Sequence, residues 1–214
     1  EANLALQALS LSKGEEGALS GESGYLALTG AKFFIFGASD FLARSWPALF
    51  GSLLVLTPLL YQNALGRKTS LILAGLIAID PVLVGASRTA DGSSLALLGL
   101  LAGIGFMLVK KPGLSGICLG AALTGGPKIW FGVLLLVVLV LFSRNSRAGL
   151  VINSAGGLTK RDWTTVTLTG ALSLIIISTS FFTNPAGISA VGSSLAEFFA
   201  SLGEMGSNSI LGIG

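Results

Sequence analysis

The chain has 214 residues, of which 52% are hydrophobic and only 11% charged, with 13 basic residues, 10 acidic residues and no histidine. Soluble domains carry about 25% charged residues, so this chain has too little charge to cover a water-facing surface. Its mean hydropathy of +0.83 excludes intrinsic disorder, and its 30 glycines show no Gly-X-Y period, which excludes collagen. The composition is that of a membrane protein.

In chain order, residues 1–12 and 25–37 read as helices too short to span, separated by a Gly/Ser/Glu-rich stretch from Lys13 to Gly24. Such pieces lie along the membrane interface. Apolar runs then recur at 45–64, 70–87, 93–109, 113–125, 128–143 and 163–182. A span needs about 20 mainly apolar residues, and fewer where it is broken or buried in a bundle. After the turn signal Asn184-Pro185, the apolar residues Ile188, Val191, Leu195, Phe198, Phe199 and Leu202 repeat at helical spacing and predict one more interfacial helix. The tail Gly203–Gly214 is Gly/Ser-rich and is expected to be mobile. The expected fold is all-α and polytopic. It has a first outer loop with interfacial helices (1–40), a transmembrane bundle of six spans (41–182), and an outer helix and tail (183–214).

Charge sets the orientation. Arg67, Lys68, Lys110, Lys111, Arg144, Arg147, Lys160 and Arg161 fall in alternate connections, with Asp162 the one acid among them. Placed in the cytoplasm, these connections satisfy the positive-inside rule at every alternation. Glu1, Glu15, Glu16, Glu22, Asp40, Asp91, Glu197 and Glu204 then lie outside the cell membrane with few bases. Residues 1–40 and the C-terminal tail are both extracytoplasmic in this topology. Because the chain opens on Glu1 on that side, a further span before it is expected.

Several positions predict local structure. Pro58 should kink its span. Asp80-Pro81 reads either as a kink with a solvated Asp80 or as a break, with Asp80 capping a restarted helix. Glycine pairs four apart, Gly99/Gly103 and Gly116/Gly120, should let helices pack closely.

The absence of histidine excludes a Ser-His-Asp triad, histidine-ligated haem, HExxH zinc chemistry and histidine proton relays. Cys118 is the sole cysteine, in an apolar run, and reads as a small buried hydrophobe. The bases cluster at span ends with no aromatic interleaving, so the sequence pI of about 9.3 does not indicate nucleic acid. Gly120–Lys128 lacks the Gly-Lys-Ser/Thr ending of a phosphate loop. Chemistry must come from carboxylates, Lys, Arg, hydroxyls and backbone.

The most specific stretch is Asp40-Phe-Leu-Ala-Arg44, followed by Pro47-Ala-Leu-Phe-Gly51, Asp80-Pro81 and Ser87-Arg88-Thr89-Ala90-Asp91. In this order it resembles the GT-C glycosyltransferases that use polyprenyl-phosphate sugars. These include the dolichyl-phosphate-mannose protein mannosyltransferases and the lipid A aminoarabinose transferases. The likeness is strongest to the prokaryotic branch of flippase-associated glycosylation proteins. Glu1-Ala2-Asn3-Leu4-Ala5 resembles the continuation of that family's acidic first-loop motif, and Thr179-Ser-Phe-Phe-Thr-Asn-Pro185 a later family segment. The resemblance implies sugar transfer from a polyprenyl-phosphate donor to a glycan, lipid or protein acceptor on the extracytoplasmic face. It implies Glu1 and Asp91 as catalytic acids and Arg88 as a donor-phosphate contact. In the family pattern a first span and an Asp precede the position of Glu1, and the sequence departs from the pattern there, as expected of a fragment of the catalytic module.

Physical reasoning adds Lys128, after Gly125-Gly126-Pro127, as a second phosphate contact. Plainer roles stand beside these. Arg88 and Asp91 also fit a solvated ion pair worth under about 1 kcal/mol, and Lys128 fits an anchor snorkelling to headgroups. Glu15, Glu16 and Glu22 read as a wet loop face. Without histidine, any metal would be held by oxygen, which suits Mg²⁺ or Mn²⁺. The competing function is a catalytically silent subunit derived from such an enzyme and packed among other membrane subunits. A transport role is disfavoured, because Asp80 is the one ionisable candidate within a span.

Overall fold

The computed structural model describes residues 2–14, 21–134, 159–180 and 186–211. Glu1, Glu15, Glu16, Arg144, Arg147, Asn184-Pro185 and the span beyond residue 134 lie outside the described residues. Every regular element described is helical. Helices α1 (Ala2–Ser12) and α2 (Ser23–Phe36) form an N-terminal pair. Then come α3 (Asp40–Leu54), a 3-10 turn (Thr57–Tyr61) and α4 (Gln62–Leu65). Next are α5 (Arg67–Ile79), α6 (Pro81–Arg88), α7 (Ser93–Leu108) and α8 (Pro112–Leu123). A helical stretch over 129–134 precedes α9 (Lys160–Ser178) and α10 (Ala186–Leu211).

The breaks have identifiable causes. Pro58 has no N–H to give Leu54, and α3 stops there; the Thr57 hydroxyl donates to the Leu54 carbonyl at 2.7 Å instead. At Asp80 the helix breaks and restarts. The Asp80 carboxylate accepts from the N–H groups of Val82 (2.8 Å) and Leu83 (3.1 Å), Pro81 takes the first helical position, and the axis bends by 58°. At the C-terminus, Gly203–Leu211 continue α10 rather than forming an irregular tail. Once a helix is nucleated, each added residue gains a hydrogen bond at low cost, which outweighs the weak propensities of Gly and Ser.

Both glycine pairs sit at close helix contacts. A Cβ on Gly99 would lie 2.6 Å from the Cys118 carbonyl, and one on Gly103 2.6 Å from Leu119 Cγ, across the α7–α8 contact. Across α8–α9, a Cβ on Gly116 would overlap Thr169 Oγ1 and the Val166 carbonyl, and one on Gly120 the Gly170 carbonyl. Hydrogen bonds stitch the same layers. Ser115 Oγ donates to the Gly103 carbonyl at 2.7 Å, and Ser173 Oγ to the Ile117 carbonyl at 3.0 Å.

In α5 and α8 burial is inverted relative to a water-soluble bundle. Helix α8 buries Ser115, Gly116, Gly120 and Ala122 and exposes Leu114 and Ile117. Along α5 the sole buried residue is Ser70, while Leu71, Ile72, Leu76 and Ile79 face outward. Among the described residues, Asp40–Leu65 is by length and composition the one helical stretch long and apolar enough to cross a membrane. The bent pair Arg67–Ile79 and Pro81–Arg88 qualifies if counted as one span, and α7 and α8 are apolar but shorter.

Candidate functional site

Three turns meet at one end of the bundle, formed by residues 21–24, 89–93 and 124–128. Glycine makes the approach possible. A Cβ on Gly92 would lie 2.5 Å from the Gly125 carbonyl oxygen, and one on Gly125 2.6 Å from Ala96 Cβ. The Gly24 N–H donates to the Thr124 carbonyl at 2.8 Å. Gly126, at φ +103°, leaves room for the Glu22 side chain, whose Cγ would be 2.6 Å from any Cβ there.

Three charged side chains fill this junction. Lys128 Nζ bridges Asp91 Oδ2 at 2.8 Å and donates to Ser93 Oγ at 2.9 Å. The Lys128 side chain is 61% exposed and Asp91 13%, so the ammonium keeps one of its three donors and a path to solvent. Asp91 Oδ1 accepts the Ser93 N–H at 3.0 Å, and Glu22 Oε2 accepts the Gly92 N–H at 2.8 Å. Two carboxylates from different turns therefore sit on the first N–H groups of α7, where the helix dipole favours negative charge. Burial pushes the Glu22 carboxyl above its ordinary pKa and the nearby Asp91 charge adds to this; the Gly92 N–H and Lys128 pull the other way.

Of the residues singled out from sequence, Asp91 and Lys128 come together. Arg88 does not join them. It ends α6 as an exposed side chain, and among the described residues the ion pair of Asp91 is with Lys128. The reason is local: Arg88 belongs to the last turn of α6, whereas the Asp91 carboxylate turns toward the start of α7. Glu22 is half-buried and bonded, not part of a wet loop face. Its sequence signal is weak but present: it occupies the N-cap position of α2, yet its side chain makes no cap bond there and reaches the start of α7 instead.

Lys128 and Ser93 also line one part of a groove of about 250 Å³, whose other walls include Leu54, Leu83, Leu97 and Leu100. Helices α3, α6 and α7 and the 129–134 stretch supply these walls. Ligand pockets usually run about 300–1,000 Å³, so this one suits part of a molecule, and its apolar walls suit a hydrocarbon chain. The outer surface of α9 is lined by Arg161, Thr164, Thr165 and Thr167 from a single helix and has no opposing wall. For a divalent ion the residues fit poorly. Such an ion needs several oxygen ligands, while Asp91 has one oxygen on Lys128 and the other on Ser93 N–H. No convergent group of three His, Cys, Asp or Glu exists among the described residues.

At the start of α9, Arg161 and, from the α7–α8 turn, Lys110 lie near Asp162. Thr159 and Asp162 cap α9 reciprocally, and the Thr159 N–H and hydroxyl hold the Asp162 carboxyl below its usual pKa, with Arg161 and Lys110 adding to the effect. Comparison of the chain with protein-family models, with curated proteins and with solved structures found no match.

Proposed function

We propose that this chain is the multi-pass membrane module of a glycosyltransferase, taking a sugar from a polyprenyl-phosphate donor on the extracytoplasmic face. The observation that carries the reading is the apolar groove with the Lys128 ammonium and Ser93 hydroxyl at its margin. A lipid phosphate has that same division into hydrocarbon and anion. Membrane residence is supported by α5 and α8, where Gly, Ala and Ser are buried at helix contacts and Leu71, Ile72, Leu114 and Ile117 face out. Segregation of Arg67, Lys68, Lys110, Lys111, Lys160 and Arg161 away from the Glu22–Asp91–Lys128 junction supports the orientation.

In this reading Lys128 binds the donor phosphate with its remaining donor, and Asp91 keeps that ammonium charged and aimed. Glu22, whose pKa is raised, is a candidate to take the proton of an acceptor hydroxyl. Polyprenyl phosphate should raise the Tm of the reconstituted protein where the neutral polyprenol does not, and Lys128→Ala should abolish the difference. Equal shifts from the alcohol and the phosphate would remove the phosphate site.

One observation favours a second reading, a catalytically silent structural membrane subunit. The start of α7 is already neutralised by Glu22 and Asp91, and Lys128 is already bridged to Asp91. A junction so satisfied can hold turns together without binding anything.

A further inference from the structure

The corner between α2 and α3 exposes four large apolar side chains: Phe34 (79%), Ile35 (69%), Phe36 (71%) and Phe41 (81%). The opposite side of α2 is fully used, with Tyr25, Leu26 and Phe33 buried against α1 and Ala43 of α3. The corner is therefore apolar surface beyond what the fold consumes, larger than scattered exposed residues account for.

Its placement is set by three hydrogen bonds between the two helices. Tyr25 Oη donates to the Ala43 carbonyl at 3.1 Å, Trp46 Nε1 to the Leu28 carbonyl at 2.9 Å, and Lys32 Nζ to Ser45 Oγ at 2.6 Å. The α2 partners are spread over about 10 Å of helix and the α3 partners over about 5 Å, at 1.5 Å per residue. Helix α2 is thus tied to α3 over Tyr25–Lys32, and its Phe34–Phe36 end lies beyond the last of these bonds. The stretch Asp40–Leu65 has 26 residues, or about 39 Å of helix, against a hydrocarbon core of about 30 Å. If this stretch spans, its first turns, and the corner they share with α2, stand in the headgroup layer.

We propose that Phe34, Ile35, Phe36 and Phe41 form an anchor that inserts into the outer leaflet, at the boundary between headgroups and acyl chains. The occupant of the patch is phospholipid, not a protein. Two observations choose lipid. The patch adjoins α3, which also exposes Leu49 and Leu53 farther along, within the stretch Asp40–Leu65 that is long and apolar enough to cross a membrane. The Lys32 ammonium beside it complements headgroup phosphates. Lys32 itself is held by Ser45 and by the Trp46 ring, 3.9 Å from its centroid, neither of them an anion. The anchor would fix the tilt of α3 and the height of the adjoining first loop, which carries Glu22. This inference rests on the membrane reading above.

The test uses the full chain with Cys118→Ala, reconstituted in nanodiscs of phosphatidylcholine and phosphatidylglycerol. A bimane label is placed by Phe36→Cys, by Phe41→Cys as a second anchor position, and by Ile72→Cys on the outward side of α5. The expected result is blue-shifted emission at all three. Lipids with a doxyl group near the headgroup should quench positions 36 and 41, and aqueous iodide should quench neither. Lipid quenching at 72 with iodide quenching at 36 and 41 would overturn the anchor and leave the membrane reading standing. Protection of 36 and 41 from both quenchers would mean a protein occupant, such as a second copy, and would also overturn it. Iodide quenching at 72 would overturn the membrane reading and the anchor together.

Discussion

The α8–α9 contact and the Glu22–Asp91–Lys128 junction solve the same problem, close approach of chain segments, by opposite means. At α8–α9 side chains are removed, so that Gly116 and Gly120 lie against the Val166 and Gly170 backbone and dispersion does the work. At the junction glycine clears the space, and charge then fills it, through Glu22, Asp91 and Lys128. At Gly116 and Gly120 the first contact is closed by backbone and leaves no room for change. The second is half-open, titratable and bordered by a groove. A site able to act on a lipid phosphate belongs to the second kind.

Substitutions can break each side of this comparison. The largest effect is expected from Gly120→Val, whose Cβ meets the Gly170 carbonyl, a backbone atom that cannot rotate away. The expected loss is about 1–3 kcal/mol or more, read as a lowered unfolding midpoint in detergent. Glu22→Ala leaves the Gly92 N–H of a buried glycine without its acceptor, for an expected loss of about 1–3 kcal/mol, while Glu22→Gln should restore most of it. Asp80→Ala removes both cap bonds of α6 and should cost about 1 kcal/mol, with the bend loosening. Gly75→Ala is the control. Nothing lies within 4 Å of a Cβ there, so this mid-helix change should stabilise by about 0.5–1 kcal/mol.

Titration sharpens the contrast. The folded-state pKa of Glu22 is raised above its ordinary 4.5, so the folded chain binds more protons than the unfolded chain between those values. Its contribution to stability is full below 4.5 and is lost as pH rises through the raised pKa. Asp91 and Lys128 face Glu22 in this junction and act in opposite directions on it. Glu22→Gln should flatten the stability profile across that window, and an unchanged slope would remove Glu22 as its source. At Gly116 and Gly120 the α8–α9 contact should contribute no slope.

The helical layer was legible because its signals are local. Asp80-Pro81 carries its own cap and break, and the spacing of Gly116 and Gly120 states its purpose on one helix face. The junction was legible only in part. Asp91 and Lys128 stand out as charges beside apolar runs, but their pairing depends on two turns 37 residues apart meeting. Glu22 lies in a Gly/Ser/Glu-rich stretch that looks solvated, and its burial comes from Gly92 and Gly126, far along the chain. Arg88 is close to Asp91 in sequence, yet Asp91 is bonded to Ser93 and Lys128 while Arg88 ends α6 exposed.

The central claim is that the Asp91–Lys128 junction serves sugar transfer from a lipid phosphate. The most direct measurement is transfer of radiolabelled sugar from polyprenyl phosphate by the protein reconstituted in lipid, compared with Asp91→Ala. The account predicts that transfer is lost in Asp91→Ala while the protein remains folded in the membrane. Equal transfer by both would contradict it.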